Sequence, residues 1–506
     1  MVEPTRGVLG MTSTFTERPL LGPAAIPVAA AVLVAGCSPH ALRESDEPDV
    51  PIPEAFLAEY EPEVAAPEDW WRSFEDPGLD RALDAAFKGN LGLRQAWARL
   101  SQAQASAEIS GAFLYPEVNI DAGASRAKTV FDLTGQNFFN NRYSVGLGLS
   151  WELDLWRKIA NRAEAATLRA VAGRDDAENT ALLISGSVTD TWFAVQAQNA
   201  LLALVESQIE SSRTLLELTE LRYGRGIGTA LQVLQQRLQL ESVQAEVPDI
   251  RSRLETARHE LAVLLGVPPQ MLAGTGVMPG DVLPELPPSP ELPSPRDLLE
   301  RRPDLRSAFA RVAAADREVA ASIAELLPSV RISASGGFQS DTAAGLGDSL
   351  IWSLGGGLVQ PFFDAGRRNA EVDRNKAVLR ERLVFLDERF IVALREVEDA
   401  LVRERNQREL LERVKNQIDT ARRTLEESEL LFINGQIEYL DVITAIQTLQ
   451  RLERQEISVR RGLLANRATL HLALGGEWTR NLIPPSDAER PRHDIATIDP
   501  SSDSDA

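Results

Sequence analysis

Alternating apolar and polar residues mark four short segments of the chain. In residues 117–126 and 143–153, hydrophobic or small side chains alternate with polar ones or glycine, and the pattern returns in residues 329–338 and 350–360. A period of two is typical of a β-strand with one apolar and one polar face. The sequence therefore predicts four strands of about 10 residues each. The polar positions expected to face water are Asn119, Asp121, Ser144, Ser150, Glu152, Ser333 and Ser335.

Two long stretches between and after these segments show a different spacing. Residues 157–221 and 367–431 contain no proline and little glycine, and apolar residues recur every three or four positions. This spacing indicates helices about 100 Å long that pack along a coiled-coil-like seam. Each helix reaches a turn that contains glycine, after which we expect a second long helix to return. The predicted hairpins span residues 157–265 and 367–474.

The chain contains an internal repeat with an offset of about 210 residues. The sequence LRQAWARL at 93–100 returns as LRSAFARV at 305–312, and YPEVNI at 115–120 returns as LPSVRI at 327–332. Matching segments in the same order indicate two homologous halves. The predicted boundaries are a first repeat at 70–270, a proline-rich connector without regular structure at 271–295, and a second repeat at 296–478.

The first residues have the pattern of a secretion signal. An apolar run ends in VAGC at positions 34–37, which resembles the bacterial lipobox. Because Cys37 is the single cysteine of the chain, we expect it to carry a lipid after residues 1–36 are removed. The alternative is a signal peptide that happens to contain a cysteine. The true start is either Met1 or Met11.

Composition excludes several classes of function. The net charge of −21, from 53 basic and 74 acidic residues, repels phosphate backbones, so we expect no nucleic-acid partner. One cysteine and four separated histidines offer no disulfide and no zinc-site spacing. We therefore expect no metal-binding residues. No residue is singled out as catalytic or cofactor-binding, because we interpret the neighbouring acids Glu396, Glu398 and Asp399 as a solvated helix face. Two segments are rich in acidic residues. Residues 37–69 are predicted to be an extended arm, and residues 479–506 a disordered tail.

The four predicted strands leave two sheet edges to be closed. Unpaired strand edges cannot face lipid, and single-chain barrels begin at about eight strands. A dimer would give eight strands with a filled interior, whereas a trimer would give twelve strands and a lumen. The arithmetic favours a tubular trimer in which the long helices extend that lumen.

Six motifs occur in a fixed order along most of the chain. They are WWRSFEDPGL at 70–79, SWELDL at 150–155, LERRPDL at 299–305, PFFDAGR at 361–367, EVEDAL at 396–401 and LGGEW at 474–478. As a set, they resemble the TolC-like outer-membrane efflux proteins, and in particular the NodT-type lipoproteins that serve resistance-nodulation-division pumps. One departure is Arg157, where the family usually has glycine. A left-handed backbone is costlier without glycine, so we expect a differently shaped junction there.

The resemblance implies an α+β membrane protein that forms a trimer. Each chain would contribute four strands to a twelve-stranded outer-membrane β-barrel, continuous with a long periplasmic α-helical barrel. The implied function is that of an exit duct without an enzymatic centre. It would passively conduct small toxic compounds delivered by an inner-membrane resistance-nodulation-division transporter through a periplasmic adaptor, while lipid on Cys37 anchors it to the outer membrane. Two alternatives stay open, namely the outer channel of a type I protein-secretion system and a periplasmic scaffold lipoprotein without a pore.

The resemblance also assigns roles to two sets of residues. The polar strand positions named above would line the barrel lumen. The hairpin tips would dock the adaptor and form the gate; the candidates are Arg222, Tyr223, Gly224, Arg225, Gly226, Phe432, Gly435, Glu438 and Asp441. We predict that trimer symmetry places Glu438 and Asp441 in an acidic ring held shut by arginines. The alternative is that these are solvated surface charges.

Overall fold

The computed structural model describes residues 40–42, 48–58, 60–65, 69–131 and 136–482. These residues form two compact units. The sheet unit comprises Leu114–Ala160 and Ala320–Arg368. The helical unit comprises Leu42–Phe113, Asn161–Val319 and the described residues from Asn369 onward. The predicted signal at 1–36, Cys37 and most of the predicted tail lie outside the described residues.

The sheet unit holds four antiparallel strands in the order β1-β2-β3-β4. The strands are β1 (Glu117–Phe131), β2 (Gln136–Leu153), β3 (Ser329–Ser340) and β4 (Leu350–Val359). The first two extend well beyond the segments that the alternation predicts. Their added residues pair with each other, for example Lys128 with Phe139, so backbone pairing lengthens the ladder where the side-chain pattern fades.

Nine α-helices are present in the described residues. They are α1 (Pro77–Gly89), α2 (Leu91–Ala112), α3 (Lys158–Gly224), α4 (Ala230–Gln244), α5 (Glu246–Leu264), α6 (Leu298–Arg301), α7 (Pro303–Ala324), α8 (Arg367–Ile433) and α9 (Tyr439–Leu474). Helices α3 and α8 each have 67 residues, which corresponds to about 100 Å. Across the described ranges, no helix is both long enough and apolar enough to cross a bilayer.

The returning arm of the first hairpin differs from the expected single helix. The helix is interrupted at Ala245, between α4 and α5. Pro248 lies in the first turn of α5, and because proline has no N–H it cannot bond to the carbonyl of Gln244. The equivalent arm of the second hairpin contains no proline and is the continuous helix α9.

The predicted connector contains short turns of 3₁₀-helix at its ends. These are Pro269–Thr275 and Pro295–Asp297, each with proline in its first turn. The expectation that the connector lacks regular structure is therefore wrong at both ends. Between these turns, the described residues contain one isolated bridge, in which Pro290 pairs with Val64 of the arm.

An aromatic cluster forms the main core of the helical unit. Trp71 packs edge-on against Trp478 with ring centroids 4.9 Å apart, and both are buried. Asp76 caps α1 by accepting hydrogen bonds from the first-turn N–H groups, and it also accepts one from Trp192 Nε1 at 2.7 Å. The first and last segments of the repeats are thus held in one core, to which Trp70 also belongs.

A buried ion pair holds the connector against α8 and α9. Arg467 is fully buried and binds both carboxylate oxygens of Glu404, at 2.8 and 2.6 Å. Its remaining terminal nitrogen donates to the carbonyls of Pro287 and Pro288 at 2.7 and 2.6 Å. Burial, together with the nearby Arg467 charge, lowers the pKa of His471 to about 3. His471 is therefore neutral at physiological pH.

The described part of the N-terminal arm lies along α8. Asp387 Oδ1 accepts a hydrogen bond from Asp49 N at 2.8 Å, and the Glu398 carboxylate accepts from Leu57 N and Ala58 N at 2.5 and 3.1 Å. Apolar arm residues pack on the second hydrophobic cluster of this unit. The interpretation of Glu398 as a purely solvated charge is therefore wrong, because its partners come from a segment about 340 residues away in sequence.

Candidate functional site

The four-stranded sheet has two chemically different faces. Register pairs Ile120 with Leu147, Leu147 with Gly336, and Gly336 with Trp352, so these residues share one face. This face also carries Leu354, whose side chain is 72% exposed. A shallow apolar depression crosses it from β1 to β4. Exposed apolar surface on this scale is typical of contact with lipid or protein.

The opposite face carries every polar strand position singled out from the sequence. Register pairs Glu152 with Arg331, and Ser150 with Ser333. Ser335 pairs with Ser353, and their hydroxyl oxygens lie 2.8 Å apart. The remaining candidates on this face are Asn119, Asp121 and Ser144. The structure therefore brings these residues together on one surface, whereas their role as a lumen lining stays a prediction.

At the centre of the polar face, the backbones of β2 and β3 lie close together. A Cβ atom added to Gly337 would lie 2.5 Å from the carbonyl oxygen of Val145 and 2.6 Å from Cα of Gly146. No real Cβ contact is that short, so β2 and β3 can pair here because residue 337 is glycine. At Gly336, whose Cβ would point to the other face, no atom lies within 4 Å.

A charged cluster marks the junction between β2 and α3. Glu152 binds Lys158, and its second carboxylate oxygen lies 3.4 Å from the guanidinium of Arg331. Asp154 accepts hydrogen bonds from the backbone N–H groups of residues 159 and 160, at 2.9 and 2.7 Å. Asp154 thereby caps α3.

Arg157 adopts the left-handed conformation at this junction, with φ 58°. At the corresponding β4–α8 junction, Ala365 and Gly366 both have positive φ, at 54° and 84°. The two junctions differ because Ala365 also has a positive φ. The reason expected for a difference is wrong, since Arg157 keeps the left-handed conformation that Gly366 has. The left-handed residue is retained at the first one even without glycine, at a cost of about 1 kcal/mol.

The two hairpin tips are built on the same turn. Gly226 and Gly435 follow the long helices with φ of 69° and 72°, a conformation that glycine adopts without steric cost. In each turn a backbone N–H reaches back over the helix end, from Ile227 to the Arg222 carbonyl at 3.0 Å and from Gln436 to the Leu431 carbonyl at 2.9 Å. This is a Schellman-type helix end. Of the other tip candidates, Gly224 is the last residue of α3 and Arg225 is the first residue after it; both are exposed.

The structure brings the two tips into contact. The guanidinium of Arg222 lies over the Phe432 ring, 5.0 Å from its centroid, and Phe432 packs on Tyr439. The Tyr439 hydroxyl donates to Gln236 Oε1 at 3.0 Å and lies 3.3 Å from the Thr219 hydroxyl. Among the predicted tip residues, Tyr223 instead stays exposed.

The acidic gate candidates have a local structural role within one chain. Asp441 Oδ2 accepts a hydrogen bond from Glu438 N at 3.2 Å, and the Glu438 side chain accepts from Asp441 N, which completes a capping box for α9. Arg222 packs on an aromatic ring rather than on either of these carboxylates. The predicted acidic ring between chains, held by arginines, stays a prediction.

A buried glutamine network behind the tips was not found from the sequence. Gln239 donates to Gln450 at 2.9 Å and accepts from Gln447 at 2.7 Å, while Gln208 donates to Glu453 and accepts from Arg454. The signal was available in part, because polar residues interrupt the apolar seams of α4 and α9. The hydrogen-bond partners lie about 210 to 245 residues apart in sequence, which local spacing does not reveal.

Comparison with known proteins identifies relatives over most of the chain. The family model described as outer membrane efflux protein matches residues 82–267 and 294–476. The pyoverdine export outer membrane protein OpmQ of Pseudomonas aeruginosa is 32% identical over 418 residues, covering 81% of this chain and 87% of that protein. The probable outer membrane lipoprotein SilC of Salmonella typhimurium is 26% identical, covering 88% and 97%.

Solved structures show the same fold. The outer-membrane channel OprN is 26% identical and superposes with a TM-score of 0.79, covering 85% of this chain and 99% of that channel. The Campylobacter jejuni channel CmeC is 22% identical with a TM-score of 0.78, covering 88% and 98%. These similarities confirm the predicted resemblance. The family consists of channels and efflux proteins of the outer membrane, not enzymes.

Proposed function

Because the chain belongs to the outer membrane efflux protein family, we propose that it is the outer-membrane exit duct of a tripartite efflux pump. It passively conducts small toxic compounds such as drugs, dyes and detergents. Relatives named for export of pyoverdine, toluene and antibiotics support a small-molecule cargo. The observation that carries the proposal is the sheet with one exposed apolar face and one polar face, because such a sheet separates lipid from a water-filled path.

The duct is a trimer with a twelve-stranded barrel. Within the described residues, β1 pairs with β2 alone and β4 with β3 alone, so each chain presents two open sheet edges. Edges of this kind need a partner when they face lipid. Three copies close the ring, place the polar face inside, and align the long hairpins into a periplasmic helical barrel.

The remaining partners follow from the same proposal. Lipid on Cys37 anchors the chain to the outer membrane, and the arm connects this anchor to the helical unit. The hairpin tips, with Arg222, Tyr223 and Phe432, dock a periplasmic adaptor. An inner-membrane resistance-nodulation-division transporter supplies the cargo and the energy.

A clean deletion strain tests the cargo and the pathway. The strain is compared with one complemented by the gene, across antibiotics, dyes, detergents and metals. We expect hypersensitivity to several small toxic compounds that complementation reverses. Unchanged susceptibility, together with loss of a secreted protein from the medium, would contradict the efflux proposal and favour type I secretion.

Two neighbouring residues of β4 test the assignment of the faces. Leu354 lies on the apolar face and Ser353 on the polar face. An arginine on a lipid face costs about 2–4 kcal/mol near the bilayer centre, whereas a lumen position tolerates it. We expect Leu354→Arg to lower the amount of heat-modifiable trimer in outer membranes. Ser353→Arg should assemble normally and change single-channel conductance. Equal behaviour of the two variants would contradict the proposed orientation.

A further inference from the structure

A groove of about 600 Å³ opens among α3, α7, α8 and α9 of the helical unit. We call it the arginine groove. Its apolar part includes Leu183, Ala308, Phe385 and Leu472, and its charged part includes Arg382 and Arg389. Leu183 is 55% exposed although it is a large apolar residue. The groove therefore combines exposed apolar surface with positive charge.

Two other arginines of the groove are already neutralised. Arg302 is buried and pairs with Asp304 at 3.0 Å and with Glu396 at 2.8 Å. Arg311 pairs with Asp176 on the opposite wall. Both guanidinium groups are thus engaged with carboxylates and contribute little free positive charge.

Arg382 and Arg389 lack such close partners among the described residues. For Arg382, the ion-pair partner is the adjacent Glu381, whose carboxylate oxygen lies 3.9 Å from the guanidinium nitrogen. The guanidinium of Arg389 lies over the ring of Phe385, 5.1 Å from its centroid. On a chain with a net charge of −21, this is an unusual place for two cations beside an apolar surface. The groove is suited to an acidic segment with apolar residues between its charges.

The described part of the chain ends at Leu482, close to this groove. Arg480 donates to the Glu300 carbonyl at 2.9 Å and its own carbonyl accepts from Arg174 at 3.2 Å. Thr479 contacts Glu178 at 3.4 Å. Leu482 packs on the main core cluster, which includes the groove residue Leu182 and contacts the groove residue Leu472. The sequence beyond Leu482 therefore starts next to the groove.

The sequence after Leu482 has the composition that the groove requires. It contains six acidic residues and two arginines, and it includes the stretch Asp494-Ile-Ala-Thr-Ile-Asp499. Here two carboxylates flank two isoleucines. The residues between Leu482 and Asp494 can span at most about 40 Å, which exceeds the width of a few packed helices.

We propose that residues 494–499 bind in the arginine groove of the same chain. The carboxylates of Asp494 and Asp499 pair with Arg382 and Arg389, and the isoleucines cover the apolar surface beside Phe385. Each aspartate of the segment then neutralises one arginine of the groove. It weakens as salt concentration rises, because partly exposed ion pairs are screened.

Site-specific photo-crosslinking in the full-length protein tests this proposal. A benzophenone amino acid replaces Ile498, the purified protein is irradiated, and cross-links are mapped by mass spectrometry. We expect cross-links at residues 382–389. Asp494→Lys with Asp499→Lys should lower their yield by about tenfold, and adding Arg382→Glu with Arg389→Glu should restore it.

The matched control uses two other arginines of α8. Arg380 and Arg395 are exposed and do not line the groove, so Arg380→Glu with Arg395→Glu should leave the yield unchanged. Mixing copies of different mass distinguishes cross-links within a chain from those between chains. Cross-links that lie elsewhere, that ignore the charge reversals, or that join different copies would each overturn the proposal.

Discussion

Replacing Arg467 with methionine should destabilise the helical unit strongly. The guanidinium is fully buried and makes four hydrogen bonds, two to Glu404 and two to the carbonyls of Pro287 and Pro288. Methionine matches much of the apolar volume of the side chain but offers no donor. The variant therefore leaves a buried carboxylate and two carbonyls without the partner they have in the native protein.

The expected loss of stability is about 3–5 kcal/mol, the cost of removing one member of a buried ion pair. Arg408 also binds Glu404, at 3.0 Å, so the carboxylate keeps one partner and the lower end of this range is favoured. Changing Glu404 to leucine in the same chain should recover part of the loss, because the uncompensated charge is then removed. The connector should also become easier to cleave, since its carbonyls lose their anchor at Pro287 and Pro288.

The measurement is guanidinium unfolding of the detergent-solubilised protein, followed by tryptophan fluorescence, with limited proteolysis of the connector. The matched control is Arg413→Met, because Arg413 and Glu409 are both exposed and their ion pair at 3.4 Å is worth less than about 1 kcal/mol. If Arg467→Met were no less stable than this control, the structural role assigned to the buried pair would be wrong.

Three further changes have clear expected outcomes. Gly337→Ala should reduce assembly of the sheet, measured as heat-modifiable protein, because its Cβ would clash with β2; Gly336→Ala has open space and should behave as wild type. Burial favours the neutral form of His471. The stability that this pKa shift contributes to the folded protein is therefore present above the usual pKa of 6.5 and is lost as pH falls towards about 3. When the pH falls from 7.5 to 4.5, the free energy of unfolding of His471→Phe should therefore decrease by about 3 kcal/mol less than that of the wild type. An identical pH dependence of the two proteins in unfolding titrations would contradict this. Gly435→Ala should destabilise the second tip by about 1 kcal/mol in the same titrations, because its φ of 72° suits glycine, and unchanged stability would count against this turn.

Local patterns predicted those features whose cause is local. The glycines at 226 and 435 indicated the hairpin tips, and the structure places both in the left-handed region. Alternation indicated the strands because one face of the sheet is apolar over most of its length. The ends of β1 and β2 were missed, since Asn140, Asn141 and Arg142 interrupt the alternation. There the strands continue through backbone pairing and a contact of the Arg126 guanidinium with the Phe139 ring, which alternation does not reveal.

Features that depend on distant partners were not predictable in this way. Glu398 follows the charge pattern of an exposed helix, yet it accepts hydrogen bonds from arm residues far away in sequence. Glu438 and Asp441 suggested a gate by their charge, whereas within one chain they cap α9. The interruption at Ala245 had a visible signal in Pro248, which the expectation of a single returning helix left out of account. Burial and pairing partners, not residue type, decide what these side chains do.

The binding of the arm through its backbone has a consequence for sequence tolerance and protein engineering. Asp387 and Glu398 recognise N–H groups, which every residue except proline provides, and Leu57 at one of these positions is 93% exposed. The prolines of the described arm stand at other positions, for example at 51 and 53. Position 57 can therefore take almost any residue but proline, which makes it a natural place to attach a reporter, whereas Ala58 also packs on the second hydrophobic cluster and is more constrained.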